Sequence, residues 1–503
     1  MSATPDRVIP SSASVLTSPS SVPLCVDLDG TLINTDSLHE GLVALLKRNP
    51  LYTFALPLWL AQGKSAFKHN VALRAPLDVD ALPYNDDVVA LLKSERGRRP
   101  IVLCTAAHER YAQAVSDRLG LFDRVFATGE INLAAPEKVQ LLVGEYGERG
   151  FDYMGDHLKD VGVFRAARRA IAVNPAAPLR RRLAEIENLD RVIDGTPRGG
   201  VRAWLRALRV HQWIKNLLVF IPLAAAHRVG DPRAVFATAA AFVIYGLTAS
   251  AVYLLNDLVD LKADRVHPRK RRRALASGAI SIPAALAAIP ALLIVALVLA
   301  WKISPQLSAL IALYFLTSNA YAVRLKQVPI LDSLVLAGLY TLRVLAGAAA
   351  ISVTPSFWLL SFSIFFFFSL ALSKRHSELL EFAKIDAEPA VGAQPSRPSS
   401  ALAIPGRGYQ RGDLTVIVAE GTASGIAAVL LLALFINSES ARGEYRHPEA
   451  LWLICPLVLY WVTKLWLNSQ RGQIEDDPVV WAVENRVSRA IVVLCLVLFV
   501  LAI

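Results

Sequence analysis

Two sets of aspartates in this chain stand in patterns that suit phosphate chemistry. In VPLCVDLDGT an apolar run ends in Asp27 and Asp29, spaced by two. PIVLCT ends in Thr105, PEKVQLL carries Lys138, and FDYMGD ends in Asp156, with Asp160 shortly after it. Asp27 suits a nucleophile that attacks phosphorus. Asp29, on the same side of an extended chain, suits the general acid and base. Thr105 and Lys138 can hold phosphoryl oxygens, and Asp27, Asp156 and Asp160 can hold Mg²⁺. The second set is NDLVDLKADRVHPRKRRRALASG, with Asn256, Asp257, Asp260 and Asp264 directly after an apolar run at 234–255. If the helix continues, the i, i+3, i+7 spacing puts the three carboxylates on one face. Carboxylates at a bilayer edge need compensation. Hard oxygen ligands of this kind suit Mg²⁺ bridging to a substrate diphosphate, with Arg265 and Lys270 close by in sequence.

The first set needs a scaffold that brings distant segments together. Residues 22–175 alternate short apolar runs with helical patterns, which predicts a doubly wound parallel α/β sheet. The carboxyl ends of its strands line one crevice, so the chemistry-bearing residues converge there. DLDGT, LCT, Lys138 and GDHLKD, in that order, resemble the four motifs of the haloacid dehalogenase superfamily. The resemblance covers about residues 20–180 and implies a phosphatase-type domain, placed here at 21–178, with a helical cap at about 37–97. LYTFALPLWLA within that cap reads first as cap core, and leaves open a cap that faces lipid.

Composition sets the other half apart. The 503 residues are 54% hydrophobic with a net charge of +11, and mean hydropathy is +0.42. Residues 1–205 look soluble, with a disordered tail at 1–20 that lacks a signal-peptide core. The remainder is dominated by long apolar runs. In such a chain the positive charge reflects cytoplasmic loops, not nucleic-acid binding. Cys25, Cys104, Cys455 and Cys495 show no metal spacing and read as reduced core thiols. Residues 179–212 form a basic linker. VRAWLRALRVHQWIKN reads as an interfacial helix with Trp204 and Trp213 at headgroup level.

Runs of spanning length lie near 216–232, 234–256, 282–301, 305–322, 330–351, 355–373, 414–437, 449–467 and 486–503, giving an all-α polytopic domain of about nine spans at 213–503. Alternate loops carry Lys262 to Arg273, Arg324 and Lys326, Lys374 to Arg411, and Arg471. The positive-inside rule makes these cytoplasmic, and the soluble domain with them, in a plasma (inner) membrane protein. NAYAVRLKQVPILD adds Tyr321, Arg324, Lys326 and Asp332 on the same face. Arg343 lies inside the fifth run and must be paired, either with substrate phosphate or with a structural oxygen. LSKRHSEL adds Lys374 and Arg375, with His376 read as a solvated loop residue. Residues 386–406 read as a flexible loop, and GYQRGDL after it as a lid or a loop end.

NDLVDLKADRVHPRK, YAVRLK and the nine spans together resemble the UbiA-type prenyltransferase superfamily, over about residues 200–503. HQWIKNLLVF, DRVHPRKRRRALASG and YAVRLK point to its phosphoribosyl-transferring branch, the decaprenyl-phosphate phosphoribosyltransferases. Ala274 departs from the proline usual there. The resemblance implies 5-phosphoribose moving from phosphoribosyl diphosphate onto a polyprenyl phosphate, with Mg²⁺ at Asp257, Asp260 and Asp264 and Asn256 orienting that shell. Asp257 and Asp260 are then catalytic. Lys215, Asn216, Arg265, Lys270, Tyr321, Arg324, Lys326, Asp332, Arg343, Lys374 and Arg375 are candidates for substrate binding. The alternative is prenyl transfer from a polyprenyl diphosphate to an aromatic or other acceptor. A transporter with a tethered phosphatase would carry polar groups at mid-membrane, whereas these gather at helix ends. The fused phosphatase could remove the product's 5-phosphate.

Overall fold

The computed structural model describes residues 22–129, 133–195, 199–387, 407–474 and 478–503. The expected tail at 1–20, and all but the first two residues of the expected 386–406 loop, lie outside them. The chain divides into two compact units. Unit one is Met1–Ala207 with Asp257–Ala285, and unit two is Leu208–Asn256 with Leu286–Ile503.

Unit one is built on β1 (Leu24–Val26), α1 (Ser37–Arg48), α2 (Leu56–Ala61), α3 (Lys64–Arg74), α4 (Asp86–Glu95), β2 (Ile101–His108), α5 (Glu109–Leu119), β3 (Arg124–Thr128), α6 (Ala135–Tyr146), β4 (Asp152–Gly155), α7 (Val161–Ala166), β5 (Arg169–Val173), α8 (Ala177–Arg182), β6 (Leu189–Ile193) and α9 (Val201–Ala207). The strands form one sheet in the order β3-β2-β1-β4-β5-β6, all parallel. Side chains alternate across it. Leu24 and Val26 pack with Val88, Leu92 and Val115 on one face. Cys25 packs with Leu142, Val163 and Leu179 on the other. Helices therefore cover both faces, as parallel sheets require.

Two boundaries differ from the sequence expectation. The sheet continues past 178, because β6 pairs with β5 at its edge. Its mostly exposed side chains hide the apolar alternation that marks a strand. The helical excursion is shorter than 37–97, because α4 sends Val88 and Leu92 into the sheet's own core. What stands apart is α1 to α3, with a small core of Leu45, Trp59, Val71 and Ala75.

Unit two begins with a 3-10 stretch, Val210–Phe220, then α10 (Ile221–Ala225) and α11 (Pro232–Val259), whose last residues pass into unit one. α12 (Leu261–Val266) follows in unit one. α13 (Ile282–Ile303) returns to unit two. α14 (Pro305–Val323), α15 (Leu331–Ala350), α16 (Phe357–Ala387), α17 (Leu414–Ile436), α18 (Glu439–Glu444), α19 (Pro448–Leu451), α20 (Ile454–Gln470), α21 (Pro478–Glu484) and α22 (Arg486–Ala502) complete it. Among the described residues seven helices are long and apolar enough to cross a membrane, and α21 with α22 forms one further bent pair at 81°. The protein is therefore multi-pass.

The first expected span, 216–232, is not a spanning helix. Its 3-10 backbone lies so close to α15 that a Cβ on Gly347 would meet the Val219 carbonyl at 2.0 Å. Asn216, Val219 and Leu223 of this run are buried in the bundle, while Leu217 and Val229 are exposed. The expected interfacial helix is also broken, at Arg209 (φ +49°). Trp213 is engaged by α11. Its Nε1 donates to Ser250 Oγ at 3.1 Å on α11, and its ring lies over Gly246, where a Cβ would come within 2.6 Å.

Candidate functional site

The carboxyl end of the central strand carries the first set of aspartates. Asp27 follows β1 directly, and the strand order reverses beside it, the place where open α/β sheets bind ligands. Lys138, from the first turn of α6, reaches back so that its Nζ lies 2.9 Å from Asp27 Oδ2. The same ammonium donates to Tyr153 OH at 2.8 Å and lies 3.9 Å from Asp160 Oδ1. Asp27, Asp156 and Asp160 each bring an oxygen within 4.8 Å of the others. That spread suits one hard cation with oxygen ligands. Gly30 makes the approach of Asp156 feasible. It has φ +82°, and a Cβ there would fall 2.1 Å from Asp156 Oδ2. Thr105 is buried at the end of β2's apolar run, and its Oγ1 accepts from Ala107 N at 3.1 Å.

Electrostatics separate the roles of these groups. Burial works against the charge on Lys138, but Asp27 and Asp160 outweigh it and hold the ammonium above its ordinary pKa. Asp160 is pushed up to about 6 by burial and then by the Asp27 charge. Such crowded carboxylates favour a bound cation. Asp29 stands outside the three-carboxylate group. Its oxygens accept from Ser37 N at 2.8 Å and Ser37 Oγ at 3.2 Å. Burial and the nearby Asp36 raise its pKa well above the carboxylate range, against the opposing pull of Ser37. A carboxyl that keeps its proton is suited to a general acid. Tyr153 was not legible as a site residue. It is an aromatic in a buried strand, and only the fold aims its hydroxyl at Lys138.

The aspartate-rich segment departs from a continuous helical stripe. α11 ends at Val259, Asp260 takes a turn conformation (φ −92°, ψ 7°), and α12 starts after it. Asp257 and Asp264 are buried and share Arg273, whose Nη1 lies 3.3 Å from Asp257 Oδ1 and 2.5 Å from Asp264 Oδ2. Asp260 is half-buried. The three carboxylates are not gathered as tightly as those of the phosphatase-type group, although Asp257 and Asp264 face a common cation. Arg265 is engaged in protein contacts. Its two Nη atoms donate to Glu40 at 2.8 and 2.6 Å, and its Nε donates to Ala276 O at 3.1 Å. Lys270 is exposed in the basic turn that follows. Neither Glu40 nor Arg273 was legible as a partner, because a charge on a sequence does not name its counter-ion.

Unit two holds the second cluster. Asp332 is fully buried. Arg375 Nε approaches its Oδ2 to 2.6 Å, outside hydrogen-bond alignment. Tyr409 OH donates to Asp332 Oδ1 at 2.5 Å. Arg375 also donates to Tyr321 OH at 2.9 Å and pairs with Glu378. Arg407 Nε joins Glu378 at 3.0 Å. GYQRGDL is thus more than a loop end, since its Tyr409 caps the buried aspartate. Arg324 is exposed and Lys326 half-buried. His376 is buried, with Nδ1 2.7 Å from Ser469 Oγ, and is not the solvated residue expected. Lys374 sits beside it on α16.

Arg343 meets neutral oxygens. Its Nε donates to Asn216 Oδ1 at 3.1 Å, its Nη1 to Leu339 O at 2.7 Å and its Nη2 to Tyr314 OH at 3.3 Å. The rings of Tyr245, Tyr314 and Tyr340 surround the guanidinium at 5.0–5.4 Å. Asn216 is therefore engaged through its oxygen, and Lys215 sits next to it in the 3-10 stretch.

The family model described as UbiA prenyltransferase family matches residues 217–385. The chain is similar to protein y4nM of Sinorhizobium fredii, 36% identical over 96% of this chain and 91% of that protein. It is also similar to decaprenyl-phosphate phosphoribosyltransferase of Mycolicibacterium smegmatis, 35% identical over 37% of this chain and 59% of that protein. Among solved structures, a UbiA homolog from Archaeoglobus fulgidus bound to GPP and Mg²⁺ is matched with a TM-score of 0.42. The match is 16% identical and covers 59% of this chain and 97% of that chain.

Proposed function

The chain belongs to the UbiA prenyltransferase family, and from that premise we propose a two-step enzyme of polyprenyl phosphates. The transferase half moves 5-phosphoribose from phosphoribosyl diphosphate onto a polyprenyl phosphate. The phosphatase half then removes the 5-phosphate. The observation that carries this reading is one compact unit holding both the Asp27, Asp156 and Asp160 group and the aspartates Asp257, Asp260 and Asp264. The similarity to the mycobacterial phosphoribosyltransferase, which this chain spans for 59% of its length, supports the choice of donor.

In the transfer step Asp257, Asp260 and Asp264, with Asn256, are the groups that would hold Mg²⁺. An ion held there would supply the positive charge that a diphosphate leaving group needs. Arg273 adds positive charge at Asp257 and Asp264. The ribose C1–O bond to diphosphate breaks, and an oxygen of the polyprenyl phosphate, already ionised, bonds to C1. Arg324, Lys326 and Lys374 are assigned to substrate phosphates. Arg375 holds Tyr321, and Asp332 holds Tyr409.

In the second step a carboxylate oxygen of Asp27 attacks phosphorus, and the bond from phosphorus to the ribose O5 breaks. Asp29 gives its proton to that oxygen. Water then attacks the aspartyl phosphate, Asp29 takes its proton, and inorganic phosphate leaves. Lys138 and Thr105 hold the phosphoryl oxygens throughout. Asp27, Asp156 and Asp160 fit a Mg²⁺ ion. The positive-inside pattern supports a cytoplasmic position for both sites.

The test is incubation of detergent-solubilised protein with Mg²⁺, polyprenyl phosphate and labelled phosphoribosyl diphosphate. Label is expected in the lipid, and Asp27→Asn is expected to accumulate the 5-phosphorylated form. Absence of labelled lipid, alongside turnover of a prenyl diphosphate with an aromatic acceptor, would replace this reading with prenyl transfer.

A further inference from the structure

LYTFALPLWLA is cap core only in part: Trp59 belongs to that core, and Tyr52, Ala55 and Leu56 pack against it. In the folded unit Leu51, Phe54, Leu58 and Leu60 are exposed at 69%, 82%, 62% and 57%, while Trp59 beside them is buried. A cluster of four large exposed apolar side chains on one short stretch marks a docking surface. Three observations say what covers it.

The first is position. Lys47, at the end of α1, donates from Nζ to the Val259 carbonyl at 2.7 Å. Val259 is the last residue of a helix long and apolar enough to cross a membrane, so the chain just after Lys47 starts beside the end of that helix. The second is charge. Residues 41–77 contain no Asp or Glu, but carry Lys47, Arg48, Lys64, Lys68 and Arg74. A basic, acid-free segment with apolar side chains suits an anionic lipid surface. The third is fixation. The Arg265–Glu40 pair is buried, Lys262 pairs with Asp78, and Gly278 packs so close to Asn34 that a Cβ would meet its carbonyl at 2.0 Å. The start of the cap helices and the loop before them are therefore held against the segment that follows the span.

We propose that Leu51, Phe54, Leu58 and Leu60 dip into the cytoplasmic leaflet of the bilayer this chain spans, so that the phosphatase-type site takes a phosphomonoester carried on a membrane lipid. The substrate half of this statement rests on the phosphatase reading above, and the insertion half does not. A soluble phosphate ester would need no apolar foot on the cap.

The test uses the full chain in nanodiscs containing phosphatidylglycerol, with a nitroxide at Phe54→Cys or Leu58→Cys. The background is Cys495→Ala, the other three cysteines being buried. Collisions with oxygen are expected to exceed those with a nickel chelate, by several-fold relative to a label at Ser94→Cys, an exposed position of α4. Free collision with nickel at 54 and 58 would overturn the proposal. So would screening from both reagents, which indicates a protein partner such as a second copy. In a second measurement, Leu58→Ser/Leu60→Ser is expected to retain hydrolysis of p-nitrophenyl phosphate. It should lose at least tenfold on a lipid-borne phosphomonoester in vesicles, and equal rates on both would overturn the substrate half. If the wild type cleaves neither ester the phosphatase reading fails, while the nitroxide result still decides insertion.

Discussion

Lys138 Nζ lies 2.9 Å from Asp27 Oδ2, across 111 residues of sequence, and one buried ammonium serves both Asp27 and Asp160. Lys138→Met leaves two crowded carboxylates without their shared cation. Breaking a buried pair in this way costs about 3–5 kcal/mol. Losing a positioned cation at the phosphoryl oxygens costs roughly 10²–10³ in rate. Thermal unfolding and p-nitrophenyl phosphate hydrolysis check the two effects separately. A variant within tenfold of wild type would remove Lys138 from the site.

Gly30→Ala tests the approach of Asp156. The added Cβ would fall 2.1 Å from Asp156 Oδ2, at φ +82°. The backbone strain alone is about 1–2 kcal/mol. The expected outcome is loss of phosphatase activity with weakened Mg²⁺ dependence, while the transferase step continues. Equal loss in both assays would point to general misfolding instead.

The acid role of Asp29 has a pH signature. Asp36 helps to raise the Asp29 pKa, so Asp36→Asn lowers it and Asp29 loses its proton at a lower pH. The alkaline limb of the phosphatase profile is expected to move to lower pH, with the acid limb little changed. A profile that keeps its alkaline limb would assign that limb to another group.

Arg273→Gln removes the cation shared by Asp257 and Asp264. If those carboxylates hold Mg²⁺ for transfer, the ion no longer competes with the guanidinium. Half-saturating Mg²⁺ is expected to fall roughly tenfold, about 1.4 kcal/mol. A Mg²⁺ titration of phosphoribosyl transfer reads it, and an unchanged midpoint would separate these aspartates from the metal.

Asp332→Asn strips the carboxylate from buried Arg375, whose fork also holds Tyr321 and Glu378. The expected cost is about 3–5 kcal/mol, read as a lower unfolding temperature in detergent. Arg324→Gln, at an exposed position, is expected to leave that temperature unchanged and raise KM for the diphosphate donor.

The chemistry was legible where it is local. Asp27, Thr105 and Asp156 each close an apolar run, and a parallel sheet collects such ends at one edge without further information. Seven of the nine expected spans were legible as single helices for the same reason, since run length and composition suffice. Local reading failed at 216–232, where an apolar run is packed against Gly347 of α15 instead of facing lipid, and at Trp213, which has a partner on α11. Apolarity reports removal from water and does not say by what.

By itself, then, the amino-acid sequence determined which side chains have the chemistry to suit phosphate and which segments are long and apolar enough to cross a membrane. Both follow from side-chain type and short-range periodicity. Only the tertiary structure decided the partners: Glu40 for Arg265 across 225 residues, Asn216 for Arg343 across 127 and Arg273 for Asp257 and Asp264. It also decided that Leu51, Phe54, Leu58 and Leu60 stay outside the core. A charge or an apolar side chain is satisfied by whatever surface the folded chain brings to it, and that choice depends on contacts no local pattern encodes.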